Sequence, residues 1–378
     1  MGVDLDEVRA RLSGQGRQAT PVAVAEALTW LGHVVSDAAV RETVDALRRS
    51  SRGAGRLDHL LAEPEVTDVL VNGPDEVWVD RGRGLEAAGV RFDGEEEVRR
   101  LAVRLAAMVG RRLDDASPFV DARLPDGTRV HAVLACIADR TCLSLRVPAR
   151  TRFALDEWVE RGSLTSLGAG VLRGLVAGRA ALLVSGGTGS GKTTLLASLL
   201  GEVDPAERLV IVEDSRELAP RHPHVVRLEG RTANAERAGS VTLTDLVRNA
   251  LRMRPDRLVV GEVRGAELAD LLAALNTGHE GGCGTVHANS AASVPARLEA
   301  LGALGGLDRH ALHAQASAGL DAVVHVRRAA SGRRWVEQVA ALEAGDGGLL
   351  RAVPALTWTV EGRVSEGPGL AALDRWLP

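Results

Sequence analysis

Cysteine and long apolar runs are both scarce in this 378-residue chain. Its three cysteines, Cys136, Cys142 and Cys283, form no Cys-x-x-Cys pair, which excludes a zinc site of that type and a disulfide framework. No apolar run approaches the roughly 18–20 residues that cross a bilayer, and the acidic opening Met1–Glu7 does not resemble a signal peptide. The sequence therefore predicts a cytosolic globular protein, with 45% hydrophobic residues available for its core.

Aromatic side chains and net positive charge are also in short supply. Aromatic residues make up 2% of the chain, tyrosine is absent, and the formal net charge is −4. Proteins whose main ligand is nucleic acid usually carry a basic surface and aromatic stacking platforms. No dedicated nucleic-acid partner is therefore expected. A pore that is basic only locally would still be compatible with this net charge.

Lysine occurs once, at Lys192, and every other position among the 46 Lys and Arg residues is arginine. That lysine lies in the stretch Ser185–Thr194, which fits the pattern G-x-x-x-x-G-K-[ST]. The apolar run Ala180–Val184 precedes it as a buried strand would, and Leu195–Leu200 follows it as a helix would, which is the context this motif requires. The predicted loop residues are Gly186, Gly187, Thr188, Gly189, Ser190, Gly191, Lys192, Thr193 and Thr194.

Such a loop binds the phosphates of a nucleoside triphosphate. Its glycines let successive backbone N–H groups turn toward a phosphate chain, and the following helix adds the positive charge of its N-terminus. The compact ammonium of Lys192 fits inside that cradle, where a planar guanidinium would not, and the Thr193 hydroxyl can take a place on Mg²⁺. Guanine-binding proteins normally carry an Asn-Lys-x-Asp stretch, which this chain cannot contain, so ATP with Mg²⁺ is the expected ligand.

Strands and helices alternate after the loop, which predicts a mostly parallel sheet with helices on its faces. Three of the predicted strands end in polar side chains: Glu213 with Asp214, Glu262, and His287. In open α/β sheets the ligand lies beyond the carboxyl ends of the strands. These side chains are therefore expected to converge on the nucleotide.

Phosphoryl transfer needs metal, positioned water and charge stabilisation, and the strand-end residues suit these tasks. Glu262 is predicted to hold Mg²⁺ through water, to polarise the attacking water, or to do both. Glu213 belongs to a second acidic pair, in which one member orients water while the other fixes a loop. His287 either senses a γ-phosphate by hydrogen bonding or is an ordinary core histidine.

Four segments are predicted along the chain. Residues 1–55 form a helical arm and linker, 56–150 a small α+β domain, 151–345 the nucleotide domain, and 346–378 a C-terminal extension, with irregular structure expected beyond about Glu343. In the α+β domain a Pro-Asp-Gly turn predicts a hairpin. Near it lie three strand arginines, Arg123, Arg129 and Arg146, which are either ordinary solvated residues or arginine fingers that reach a phosphate.

Four stretches together resemble one family, the secretion-superfamily ATPases, and follow the order of its Walker A, Asp, Walker B and His boxes. The branch they most resemble is the tight-adherence pilus type, often called the TadA/CpaF group, whose N-terminal domain is also similar. The four-cysteine zinc module that is common in type II secretion ATPases is missing. The matching stretches are 185–194, 211–218, 251–265 and 276–289, with 68–75 and 121–129 in the N-terminal domain.

This resemblance implies a RecA-like P-loop ATPase domain preceded by a smaller α+β domain. It implies a homo-hexamer at the inner face of the cytoplasmic membrane, docked on a pilus or secretion platform protein and driven by Mg-dependent ATP hydrolysis. It makes Lys192 and Thr193 the phosphate and magnesium contacts, Glu262 the catalytic carboxylate, Glu213 the Asp-box residue and His287 the His-box residue. The alternatives are a conjugation-type secretion motor, a nucleic-acid translocase with the same core, and a module that binds ATP without hydrolysing it.

Overall fold

The chain falls into two compact units, Met1–Pro148 and Ala149–Pro378. A computed structural model describes residues 53–148, 153–231 and 239–376, together with positions 8, 11–12, 20–33, 35–37, 39–41 and 43–44. Part of the predicted helical arm and linker, 1–55, therefore lies outside the described residues, but the arm does contain a helix, α1, Pro21–Trp30. The predicted domain boundaries after residues 55, 150 and 345 stay predictions.

The first unit contains an antiparallel sheet of six strands in its described part, ordered β3-β2-β1-β6-β5-β4. The hairpin predicted from the Pro-Asp-Gly turn is confirmed as β4–β5, closed by the pair Arg123 and Arg129. The strands are β1 Asp68–Val71, β2 Val77–Asp80, β3 Leu85–Ala87, β4 Phe119–Arg123, β5 Arg129–Val133 and β6 Cys142–Arg146, and the helices after α1 are α2 Asp58–Ala62 and α3 Glu95–Met108.

One face of this sheet packs on a hydrophobic cluster that helix α3 shares. The helix has three glutamates in its first turn, where its dipole favours negative charge. Its buried residues recur at helical spacing, with Val98, Leu101 and Leu105 on one side. They join alternate strand residues such as Val69 and Leu145 in the cluster. Because strand side chains alternate between faces, the intervening residues of the same strands form the opposite face.

The second unit is built on a mixed sheet of nine strands in its described part, ordered β15-β14-β13-β12-β7-β11-β10-β8-β9. The six strands from β12 to β9 are parallel, and β13, β14 and β15 add to one side in antiparallel fashion. The strands are β7 Leu182–Gly186, β8 Leu209–Glu213, β9 Val225–Glu229, β10 Arg257–Val263, β11 Cys283–His287, β12 Ala322–Arg328, β13 Arg334–Ala344, β14 Leu350–Trp358 and β15 Val364–Glu366.

Helices cover both faces of this sheet, which explains why its central strands are apolar throughout. Alternate residues of β7 enter two different clusters: Leu182 and Val184 pack on one side and Leu183 on the other. The helices are α4 Leu155–Glu160, α5 Ser166–Ala177, α6 Lys192–Leu200, α7 Leu243–Ala250, α8 Glu267–Leu275, α9 Val294–Leu304, α10 Arg309–Gly319 and α11 Leu370–Leu373. Within the described parts of the chain, every helix is too short or too polar to span a bilayer.

The expectation of irregular structure beyond about Glu343 is wrong. Strand β14 pairs with β13 over most of its length, and β15 pairs with β14. Leu356 and Trp358 of β14 are buried in the core of the second unit. The glycines at 345, 347 and 348 close the β13–β14 hairpin, two of them with positive φ. Glycine density there marks a turn, not an absence of structure.

Candidate nucleotide site

The predicted loop connects the carboxyl end of β7 to the first residue of α6, Lys192. Gly189 and Gly191 adopt left-handed backbone conformations, with φ of 68° and 99°, which glycine adopts without a steric penalty. Position 186 requires glycine for a different, steric reason: a Cβ there would lie 2.4 Å from the carbonyl oxygen of Val326. The backbone thus needs glycine at the positions where the motif has it.

Lys192 folds back into the loop. Its Nζ donates to the carbonyl oxygens of Gly186 and Gly187, both at 3.0 Å. Burial lowers the pKa of Lys192, while the negative charge of Glu262 acts in the opposite direction. The ammonium is therefore already held inside the loop by neutral acceptors, which a phosphate oxygen can replace with a stronger charge-assisted bond.

The predicted polar residues end strands that are consecutive in the sheet. The order β7-β11-β10-β8 puts Gly186, His287, Glu262 and Glu213 at the carboxyl ends of four neighbouring parallel strands. His287 is paired in register with Gly186, the first residue of the loop motif. The structure therefore places these residues at one edge of the sheet, beside the loop.

Glu213 is the most enclosed of these groups, with 3% of its surface exposed. Its Oε1 accepts two backbone N–H bonds, from Glu217 and Leu218, both at 2.8 Å. Burial raises the pKa of Glu213, and the two backbone bonds oppose that effect. Gly261 on the neighbouring strand makes room for it, since a Cβ there would lie 2.5 Å from Glu213 Cγ. Sequence reasoning missed this role of Gly261, which is visible only once β8 and β10 are paired.

Glu262 is more open, with 30% of its side chain exposed. Its Oε2 accepts a bond of 2.6 Å from Arg264 Nη2. That bond raises the pKa of the Arg264 guanidinium. Arg264 was not among the predicted site residues, although its i+2 spacing from Glu262 at a strand end is a signal that both side chains leave the same face.

His287 is partly exposed and lines an open cleft of about 300 Å³ together with Ala288, Asn289, Ser293 and Arg297. This environment disfavours the alternative of an ordinary core histidine. A buried histidine lies nearby instead: His325, 2% exposed, whose Nδ1 is 2.9 Å from Ser185 Oγ. Burial lowers the pKa of His325. No local signal predicts this contact, because it joins residues 140 positions apart.

Arg123, Arg129 and Arg146 form a row across three strands. Arg129 is paired in register with Arg123 on β4 and with Arg146 on β6. Directly paired residues point to the same face of a sheet, so the three guanidinium groups share one face. Arg146 Nε also donates to Asp68 Oδ1 at 3.0 Å. The row lies in the first unit and the loop in the second, and the finger role of these arginines stays a prediction.

The residues present fit a magnesium nucleotide. Ser190 Oγ and Glu213 Oε2 are buried side-chain oxygens without a hydrogen-bond partner. In the described ranges no group of three or more His, Cys, Asp or Glu side chains could hold a metal alone. Mg²⁺ usually takes only one or two carboxylates and completes its shell with phosphates and water. Thr193 and Glu262 would supply the protein part of such a shell, and their assignment as magnesium ligands stays a prediction.

Residues 50–335 match the family described as type II/IV secretion system protein. The chain belongs to this family. It is 54% identical over 321 residues to the "Putative conjugal transfer protein MT3759" of Mycobacterium tuberculosis, covering 83% of this chain and 91% of that protein. It is 32% identical over 284 residues to the conjugal transfer protein TrbB of Rhizobium radiobacter, covering 74% of this chain and 84% of that one.

Among solved structures, the Legionella pneumophila ATPase DotB has the same fold, with a TM-score of 0.54 and 20% identity over 77% of this chain and 80% of that one. The predicted α/β class with a smaller preceding domain is thereby confirmed. Membership of the family confirms the broader resemblance drawn from the four boxes. The narrower TadA/CpaF branch stays a prediction.

Proposed function

We propose that this type II/IV secretion family member hydrolyses ATP with Mg²⁺ as a subunit of a homo-hexameric motor. The proposal rests on the residues that lie at the carboxyl ends of the central strands in the second unit. A glycine loop holding the only lysine lies beside three consecutive strands that end in His287, Glu262 and Glu213. This arrangement supports the proposal because phosphate binding, metal binding and water activation are all needed at one place.

In this proposal the loop N–H groups and Lys192 bind the phosphates of ATP. Thr193, and Glu262 through a water molecule, would hold Mg²⁺, which would neutralise charge on the phosphate oxygens. A carboxylate oxygen of Glu262 takes the proton of the attacking water, since its side chain is partly exposed and exchangeable. Glu213 fixes the segment that follows β8 through its two backbone bonds. His287 hydrogen-bonds near the γ-phosphate and reports its presence.

The work done by the motor is proposed to be pilus assembly or protein secretion of the tight-adherence type, at the inner face of the cytoplasmic membrane and on a platform protein there. A conjugation-type secretion motor is the second candidate. It is favoured by the two relatives named as conjugal transfer proteins, one of which shares 54% of its aligned residues with this chain.

The specific ATPase rate measured against protein concentration, with Lys192→Ala as the blank, tests the first proposal. A rate per subunit that rises with concentration and saturates supports a site completed by a neighbouring subunit, with Arg123, Arg129 and Arg146 as the next positions to change. A concentration-independent rate from a protein that sizes as a monomer contradicts the hexameric motor. No turnover above the Lys192→Ala blank contradicts the ATPase itself and leaves a nucleotide-binding module.

Adding single-stranded DNA to the same assay distinguishes the conjugation-type motor from a pilus or protein-secretion motor. Stimulation of the rate by DNA at physiological salt favours a motor that acts on nucleic acid. An unchanged rate supports the pilus or protein-secretion assignment, in keeping with the low aromatic content and net negative charge of the chain.

A further inference from the structure

The hairpin formed by β12 and β13 lies beside the predicted phosphate-binding loop. Strand β12 runs parallel to β7, and Val326 is paired with Gly186, the residue at which the loop begins. Residues after Val326 therefore continue alongside the loop. The approach is tight, because the Val326 carbonyl oxygen occupies the space in which Gly186 would carry a Cβ.

Two arginines of this hairpin lie against the loop. Arg328, at the end of β12, is paired in register with Arg334, at the start of β13. Arg334 Nε donates to the Gly189 carbonyl oxygen at 2.9 Å, and its Cδ is 3.5 Å from the position of a Cβ on Gly191. Arg328 Nη1 lies 3.2 Å from the corresponding position on Gly189. The two guanidinium groups thus flank one glycine of the phosphate-binding loop.

Placing like charges directly opposite each other on neighbouring strands is unfavourable. The adjacent arginines of the hairpin make different contacts: Arg327 pairs with Glu337, and Arg333 Nη2 donates to the Gly162 carbonyl oxygen at 3.2 Å. Neighbouring residues on a strand point to opposite faces, so Arg327 does not share the loop-facing side with Arg328. Arg328 and Arg334 both lie beside Gly189, so a phosphate chain bound in the loop would place its negative charge close to both guanidinium groups.

We propose that Arg328 binds the phosphate chain of a nucleotide held in the loop of the same subunit, and that Arg334 is a positioning residue that fixes the loop through the Gly189 carbonyl. Arginine suits the first task because its planar fork makes charge-assisted bonds to phosphate oxygens. The inference rests on the proposed nucleotide-binding function and adds a source of positive charge within the chain, separate from the arginine row of the first unit.

Calorimetric titration of the full chain with ATP, ADP and AMP in the presence of Mg²⁺ tests the role of Arg328. Arg328→Ala is expected to weaken ATP binding by ~10-fold or more, with a smaller loss for AMP because fewer phosphates are present. The matched control Arg327→Ala, one residue earlier on the same strand, is expected to bind like the wild type. The dependence of log Kd on log salt concentration should also become shallower in Arg328→Ala, a change that a purely structural role would not produce.

The positioning role of Arg334 is tested by whether a neutral donor suffices. Arg334→Ala removes the bond to Gly189 and is expected to weaken ATP binding several-fold, whereas Arg334→Gln keeps an amide donor and is expected to restore most of the affinity. Equal losses in Arg334→Ala and Arg334→Gln, each with a shallower salt dependence, would show that Arg334 acts by its charge and overturn its positioning role.

The failure of this inference can be told apart from failure of the proposed function. If the wild type binds no nucleotide, the proposed function itself fails and the inference with it. If the wild type binds and Lys192→Ala does not, while Arg328→Ala matches Arg327→Ala, the function stands and the Arg328 inference is overturned. Should Arg328→Ala melt at a lower temperature than Arg327→Ala, Arg328→Gln replaces it, with the same loss of affinity and of salt dependence expected.

Discussion

Two glutamates end neighbouring strands of the same sheet in opposite surroundings. Glu213, at the end of β8, is 3% exposed, and one of its oxygens is fixed by two backbone N–H groups. Glu262, on β10, has 30% of its side chain exposed and is held by the side chain of Arg264, which is itself 57% exposed. The Glu213 carboxylate is hydrogen-bonded to the backbone, whereas the Glu262 carboxylate is hydrogen-bonded to a solvent-exposed side chain.

The difference shows how one sheet edge can give two identical side chains different tasks. Glu213 cannot move without breaking two hydrogen bonds, one buried and one partly buried, and buried donors are costly to leave without an acceptor. Glu262 can exchange Arg264 for another partner at small cost, because exposed ion pairs contribute little. Environment rather than residue type therefore assigns the roles, with Glu213 as the fixed group and Glu262 as the exchanging one.

The largest effect expected from this comparison concerns turnover in Glu262→Gln. Replacing the carboxylate with an amide of the same shape removes the proton acceptor, and kcat for ATP hydrolysis should fall by ~10²–10³-fold. The Kd for ATP measured without Mg²⁺ should change by less than about threefold, since the proposal gives Glu262 no contact with the phosphates themselves. A larger loss of kcat in Glu213→Gln than in Glu262→Gln would reverse the assignment.

An intermediate effect is expected on stability when Glu213 is changed. Glu213→Ala leaves the N–H groups of Glu217 and Leu218 without their acceptor, and the free energy of unfolding in urea should fall by ~1–3 kcal/mol. Glu213→Gln keeps an oxygen for both bonds and should recover most of that loss. Equal stability of the wild type and Glu213→Ala would mean that the fixed character of Glu213 has been overstated.

The thermal stability of Glu213→Gln should depend on pH differently from that of the wild type. Burial raises the folded-state pKa of Glu213 above that of the unfolded chain, so the stability it contributes is present at low pH and is lost as pH rises from about 4.3 through the folded pKa. Glutamine does not ionise. The Tm of Glu213→Gln, measured without Mg²⁺ or nucleotide, should therefore gain on that of the wild type between about pH 4 and pH 7. Parallel curves would contradict the raised pKa.

The smallest effect is expected for Arg264→Ala. Arg264 competes with Mg²⁺ for the Glu262 carboxylate, and removing an exposed partner should tighten the apparent Mg²⁺ affinity by at most about fivefold. Arg309→Ala, which removes a comparable exposed ion pair with Glu299, serves as the control. Weaker Mg²⁺ binding in Arg264→Ala would show that Arg264 orients Glu262 instead of competing for it.

The loop and the strand-end residues were predictable because their signals are local. Glycines at positions that need positive φ, one lysine at the start of a helix, an apolar strand before the loop and an apolar helix after it together specify the loop without any long-range contact. Parallel topology then brings the strand ends to one edge. In this way Glu213, Glu262 and His287 could be placed near the loop before the sheet order was known.

The remaining parts depend on pairings that the sequence does not encode locally. Arg328 and Arg334 reach Gly189 only because β12 pairs with β7, and the row of Arg146, Arg129 and Arg123 requires the register of three strands. The strands after Glu343 were missed because glycines at a hairpin turn and glycines in irregular chain look alike. Exposed or turn-rich segments carry too little hydrophobic pattern to resolve such cases.

The lone lysine gives the chain a built-in site for covalent labelling. Apart from the terminal amine, an amine-directed acylating reagent meets only Lys192 in this sequence. Burial lowers the pKa of Lys192, which leaves more of the amine in the neutral form that such reagents attack. A phosphate chain seated over the Gly186 and Gly187 carbonyls would shield the same atom. The extent of acylation would then count empty sites directly, without an engineered tag or dye.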